Sequence, residues 1–269
     1  MKKFIVSILL IAVAAVFVSC SGGGTTVDQS WAKNETLSYS VYDADKGGAK
    51  VGDASFVTTT ALSEDDKKVS SAADTKMTST LNIGAITKVT VFYAKIYNVL
   101  KLSSKYTDGE NSKNDYELNA EHDGKNYVYT LKYPNAPEKN KEGKLNVGTK
   151  GYTDAEFLYF YVRCFDINAV PSSVKVADPF TDTVTTLTCS ATANNASIAT
   201  ESSLGTVICN KVEINRKDSP VGRGISVYFL PETKEYTFGE GSMIKSVSHP
   251  TKIVENNISF VLNSFSPTK

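Results

Sequence analysis

The stretch Tyr116 to Tyr133, YELNAEHDGKNYVYTLKY, decides the class of fold. Its two arms, Tyr116 to Ala120 and Tyr127 to Tyr133, alternate in side-chain character with a period of two, which is the repeat of a pleated strand. Between them stands His122-Asp123-Gly124-Lys125, and an Asp-Gly pair between alternating runs marks a hairpin, since glycine accepts the positive φ that a tight turn imposes.

The same pattern extends along the chain. Leu37, Tyr39 and Val41 alternate with Ser38, Ser40 and Tyr42. The stretch Asp43 to Lys50, with Gly47-Gly48, turns the chain, and Val51 to Thr60 runs on extended. After a polar segment from Leu62 to Lys76, Met77 to Leu102 is β-rich and broken at Gly84, with Val89, Val91 and Tyr93 on one face that Lys95 interrupts. Pro134 to Lys144 reads as a polar loop, and so does Ser190 to Gly205. Further strands are expected around Ser173 to Val176, Thr183 to Ser190, Thr206 to Ile214, Ile225 to Leu230, Ile244 to Val247 and Ile258 to Phe265.

One segment departs from this grammar. Thr153-Asp154-Ala155-Glu156 matches a capping box, and Phe157, Phe160, Tyr161 and Cys164 follow at helical spacing, which predicts a helix over Asp154 to Cys164 with its aromatics docked on a sheet face. The expected fold is mainly β: a large curved antiparallel sheet or partly closed barrel with one main α-helix. A twisted sheet of roughly a dozen strands curls or closes rather than staying flat.

The N-terminus reads as an address. Met1, Lys2 and Lys3 precede an apolar run from Phe4 to Val18 that contains only Ser7 as a polar residue. As a helix the run would be about 22 Å long, short of the ~30 Å hydrocarbon core of a bilayer. Phe17-Val18-Ser19-Cys20 resembles a lipobox, in which Cys20 carries the lipid, although Phe17 stands where leucine is usual. The alternative is an ordinary signal peptide that leaves Cys20 as a plain thiol. Two acyl chains make a stable anchor, and Ser21 after the lipidated cysteine matches sorting to the outer membrane in a host that has one. The chain thus divides into residues 1–19 as lipoprotein signal peptide, 20–30 as lipidated flexible tether and 31–269 as a single β-rich domain. The predicted location is exported and lipid-anchored to the cell envelope.

Lysine and arginine number 29, as do aspartate and glutamate, and loss of Lys2 and Lys3 leaves 27 basic against 29 acidic groups. No basic excess points to nucleic acid. Arg163, Arg216 and Arg223 are the only arginines, which argues against a dedicated polyanion site built on bidentate forks. In an oxidising compartment Cys189 and Cys209, each on a β-like run, form the candidate disulfide, with two buried free thiols as the alternative; Cys164 is expected to face the core.

No catalytic set is visible. His122 and His249 lack metal-ligand spacing and read as solvated loop residues. Neither a nucleophile elbow nor a Walker loop is present. Gly222-Arg223-Gly224 opens a strand rather than a helix, so it reads as a bulge or turn. Asp43, Asp45, Asp65, Asp66, Asp178 and Asp182 read as solvated acids, with a weak calcium site as the alternative. Arg163, Asp154 and Glu156 are the only ionisable cluster to nominate, and a docked helix needs such residues at its edge in any case. No enzyme, metal or cofactor is predicted.

The order Leu37-x-Tyr39-x-Val41, Val51-Gly52-Asp53-Ala54, then Asp154, Leu158, Tyr159 and Arg163, then Gly224 to Phe229 and Pro250 resembles the exported proteins grouped as domain of unknown function 3108. The resemblance spans Leu37 to Phe265 and implies a large curved antiparallel sheet with a helix, similar in shape to envelope carriers of lipoproteins. It implies no site residues. The expected function is a membrane-anchored envelope lipoprotein that binds a lipid or other hydrophobic small molecule on a curved β face. The alternative is an envelope scaffold that binds a partner protein and has a packed core.

Overall fold

The computed structural model describes residues 34–95, 98–148, 151–152, 154–164, 167–216, 224–231, 235–238, 242–245 and 249–267. The expected signal peptide and tether, with Cys20, lie outside these residues, as do Arg223 and the side chain of Cys164.

Eight strands, β1 (Glu35–Asp43), β2 (Ala49–Thr59), β3 (Thr75–Ile83), β4 (Ile86–Lys95), β5 (Asn98–Asp108), β6 (Tyr116–His122), β7 (Asn126–Lys132) and β8 (Lys141–Asn146), form a meander in which each pairs antiparallel with the next. The short helix α1 (Glu64–Val69) lies between β2 and β3. The predicted hairpin is β6 and β7, with His122 opposite Tyr127.

The second half contains β9 (Gly151–Tyr152), helix α2 (Ala155–Tyr161), β10 (Ser173–Asp178), β11 (Thr183–Ala199), β12 (Thr206–Arg216), β13 (Gly224–Phe229), β14 (Glu235–Phe238), β15 (Ser242–Lys245), β16 (Pro250–Glu255) and β17 (Ile258–Pro267). β14 and β15 form a separate two-stranded ribbon, and all other strands join one 15-stranded sheet. Its halves meet where β1 pairs with β17. It is antiparallel except at its end, where β9 runs parallel to β10 with α2 as the crossover.

The sheet curls into a nearly closed barrel. Its far ends are stitched by side chains: the Tyr129 hydroxyl donates to Asp182 at 2.7 Å, Lys141 Nζ donates to the carbonyl of Phe180, and the rings of Tyr116 and Phe180 meet edge to face at 5.0 Å.

Helix α2 lies inside. Phe157 through Tyr161 are all buried, as expected of a run that is apolar on every side, and Glu156 in the first turn is buried with them. Phe160 meets Phe56 at 5.3 Å, Phe157 meets Phe92 at 5.6 Å, and Tyr159 lies 6.2 Å from Phe260. These residues bind β2, β4 and β17 to a common core that also contains Leu37, Tyr39 and Val41. No helix among the described residues is long and apolar enough to cross a membrane.

Several expectations need correction. The helix is shorter than Asp154 to Cys164: Asp154 is its N-cap, accepting from the Glu156 N–H, and Val162–Cys164 tightens into a 3-10 turn. The Pro134 to Lys144 segment is not all loop, because Lys141 onward pairs with β7. β11 runs through most of the expected Ser190 to Gly205 loop, with a bulge between Thr192 and Ala196. Cys189 and Cys209 do lie on neighbouring strands, but Cys189 stands opposite Ile214 and Cys209 opposite Ala196. They are several residues apart along the ladder, beyond the ~7 Å Cα separation that a disulfide tolerates, and both are free thiols.

Candidate functional site

The direction of α2 through the barrel sets up two buried clusters, one at each end of the helix. At the C-terminal end Arg163 is completely buried and pairs with Glu35 at the start of β1, Nη1 to Oε1 at 2.5 Å. His249, directly before β16, approaches the other Glu35 oxygen through Nε2 at 3.1 Å and rests edge-on against Phe265 at 4.5 Å. Burial alone would raise the Glu35 carboxyl, but the Arg163 guanidinium and the His249 hydrogen bond outweigh it and hold the pKa at about 2. Burial pushes the His249 imidazole below its ordinary value. The expected solvated loop position is therefore wrong for His249, which is 0 % exposed. His122 does sit at the end of a hairpin strand, partly buried, with Nε2 near the Gly148 carbonyl at 2.9 Å.

At the N-terminal end Lys88 of β4 reaches Glu156 at 2.9 Å and Asp154 at 3.3 Å. Burial works against the Lys88 ammonium, yet the two carboxylates hold its pKa well above the usual lysine value. Burial raises the Glu156 carboxyl despite Lys88 and a hydrogen bond from the buried Ser79 of β3. Beside them the Tyr159 hydroxyl donates to Glu255 of β16 at 2.5 Å, and burial raises the Glu255 carboxyl as well.

This second cluster borders a cleft of about 550 Å³. Val176 of β10, Leu187 of β11, Ile214 of β12 and Ile225 of β13 form its apolar wall, while Lys88, Asp154 and Glu255 supply the polar side. The turns β10–β11 and β16–β17 contribute Phe180 and Asn256, so the cleft lies at one end of the barrel, where the antiparallel neighbours reverse. Elsewhere on the concave face α2 packs against the sheet through Phe157, Tyr159 and Phe160.

The nominated trio of Arg163, Asp154 and Glu156 is thus split between opposite ends of the helix. Asp154 and Glu156 share Lys88, whereas Arg163 joins Glu35 and His249. Lys88 and Glu255 were missed. For Lys88 a signal existed: it has the parity of Thr90 and Phe92, which face inward, rather than that of Val89, Val91 and Tyr93. Among the described residues no group of three or more His, Cys, Asp or Glu could hold a metal ion.

A second depression, about 520 Å³, lies on the outer face between α1 and strands β4 to β7. It contains Val69 and Val128, which are 45 % and 46 % exposed, beside Tyr93.

No protein-family model matches the chain, and no curated protein matches it. Among solved structures, the chain is similar to the crystal structure of a beta-barrel-like protein of domain of unknown function DUF1849 from Brucella abortus. The two are 11 % identical, with a TM-score of 0.48 over 88 % of this chain and 98 % of that one.

Proposed function

We propose that this chain is a non-enzymatic envelope lipoprotein whose barrel holds an amphipathic ligand in the cleft beside the N-terminal end of α2. The observation that carries the reading is the cleft itself: four consecutive strands of the second half-sheet present Val176, Leu187, Ile214 and Ile225 to a space of about 550 Å³, opposite buried charged groups. A small-molecule site has this form, mostly apolar with a few placed polar groups. In this reading the first 19 residues export the chain and lipid on Cys20 holds it at the membrane surface, where amphiphiles are abundant.

Native mass spectrometry of the chain isolated from its own envelope, compared with a denatured sample, tests the proposal. A co-purifying species of defined mass that is lost in the Ile225→Trp variant, which fills the cleft, is the expected result. An apo mass in both samples would overturn it. A partner protein retained through Val69 and Val128 would instead favour a scaffold role, the second reading, which the exposed outer depression supports.

A further inference from the structure

We infer that the outer part of the β10–β11 hairpin, Ala177 to Thr186, is a flap that swings aside to admit the ligand, and that Tyr116, Tyr129 and Lys141 hold it shut. The inference rests on the binding role proposed above. Ala177, Asp178, Phe180 and Thr185 line the cleft from this hairpin, with Val176 and Leu187 at its base. Its position therefore sets the width of the cleft.

The ladders that hold the rest of the sheet run out here. β9 meets β10 only at Lys175 and Val176, and it can go little further, because Asp154 caps α2 two residues after Tyr152. On the other side the described ladder between β11 and β12 begins at Leu187. Between these limits Ala177 and Asp178 are paired across the hairpin with Val184 and Thr183. A two-stranded ribbon is marginally stable by itself in water, so the flap keeps its place through what its tip touches. The tip is a stiff unit: Asp178 accepts from the Phe180 and Thr181 N–H groups, and the hydroxyls of Thr181 and Thr183 lie 2.8 Å apart. It moves as one body about its base.

What the tip touches is the opposite end of the sheet, across a seam where β8 and β9 share no ladder. The Tyr129 hydroxyl of β7 donates to Asp182 at 2.7 Å, and Lys141 Nζ of β8 donates to the Phe180 carbonyl. The Phe180 ring, 38 % exposed, rests edge-on against Tyr116 of β6 at 5.0 Å. One net hydrogen bond shifts an equilibrium by roughly twofold to tenfold. A few such side-chain contacts keep a flap closed most of the time and leave it free to open.

The full chain held in lipid nanodiscs and mixed rapidly with dansyl-undecanoate, against empty nanodiscs, tests the flap. The signal followed is the fluorescence change that Ile225→Trp removes, which isolates dye in the cleft. The double variant Tyr129→Phe with Lys141→Met is expected to speed association and dissociation alike, by about threefold or more, with Kd unchanged, because a gate alters passage and not affinity. Hydrogen exchange of the amides from 177 to 186 should accelerate in that variant while β1 to β6 exchange as before. Should the double variant fail to fold, Lys141→Met alone serves, with a smaller effect of the same form. Unchanged rates, or a weaker Kd through faster dissociation alone, overturn the flap and leave the cleft as a binding site. Absence of any signal that Ile225→Trp removes, together with an apo mass from the native envelope, overturns both.

Discussion

Arg163 and Glu35, 128 residues apart in sequence, form an ion pair in which the arginine is wholly buried and the glutamate nearly so. The pair ties the end of α2 to the first strand, which lies at the middle of the sheet where the two halves meet. A buried pair adds little net stability compared with a well-packed apolar replacement, but removing one partner leaves a bare charge in the interior. Glu35→Gln should therefore lower the unfolding free energy by about 3–5 kcal/mol in urea titrations. The double variant Glu35→Leu with Arg163→Met should cost less than Glu35→Gln alone. A double variant as damaging as the two single losses added together would show that the pair does not act as a unit.

Stability should fall on the acid side in two identifiable steps. His249 has a lowered pKa in the folded protein, so as pH falls through about 6.5 the unfolded chain takes up a proton that the folded one refuses, and stability declines. Glu35, lowered from 4.5 to about 2, repeats this between those two values and removes about 3 kcal/mol in all. Glu156 and Glu255 act in the opposite sense, because their raised carboxyls favour the folded state as pH falls. The His249 contribution is isolated by subtracting the pH profile of His249→Gln from that of the wild type. The difference should shrink below pH ~6.5, whereas a constant difference from pH 8 to 5 would contradict the assignment.

The strands were legible wherever one face was buried and the other wet, as in the hairpin of β6 and β7, because burial on one side is what writes a period of two into a sequence. The misses are places where that contrast is lost. β8 carries Lys141, Glu142 and Lys144 at the sheet's edge, where charge hinders strand addition from outside. The far part of β11 is largely exposed on both sides through Thr192 and Ala193, so no alternation marks it. Helix α1 buries no residue, and its capping box uses Asp66 where glutamate or glutamine is usual. Of the two charged clusters the chain showed single members, Asp154, Glu156 and Arg163, but not which partners they meet. Lys88 meets Asp154 across 66 positions and His249 meets Glu35 across 214, and only the closing of the sheet brings them together.

Gly52 is a position where the backbone leaves no room. A methyl group there would stand 1.8 Å from the carbonyl oxygen of Asn82 on β3, next to the bulge that shifts the β1–β2 register between Val41 and Tyr42. Gly52→Ala should therefore destabilise by about 1–3 kcal/mol or more, as overpacking does, through displacement of one ladder from the other. Thermal unfolding followed by circular dichroism measures this, and a melting temperature equal to that of the wild type would refute it.

Filling of the barrel by α2 makes its aromatics the largest single packing contribution to test. Phe160 is 2 % exposed and meets Phe56 edge-on, so Phe160→Ala leaves a cavity that its neighbours on β2 cannot close. The expected cost is about 3–5 kcal/mol by urea unfolding. A cost under about 1 kcal/mol would mean that the helix is loosely held and the barrel interior is open to solvent or ligand.

Cys189 and Cys209 should both be recovered as thiols. Each lies on its own strand at a different level of the β11–β12 ladder, and the Cys209 sulfur faces the Thr251 hydroxyl at 3.1 Å. Burial raises both thiols, that of Cys189 to about 12, so neither is a ready thiolate for oxidation at neutral pH. In the folded chain both should alkylate slowly, Cys209 the more so because it is completely buried, and after unfolding without reductant both should alkylate fully. A peptide map of unreduced protein containing a linked Cys189–Cys209 pair would require β11 to slide by several residues against β12. That slip would also break the pairing of Val174 with Leu187 and Val176 with Thr185 that joins β10 to β11. Detection of the linked peptide would therefore contradict the register of this half of the sheet as well as the state of the two sulfurs.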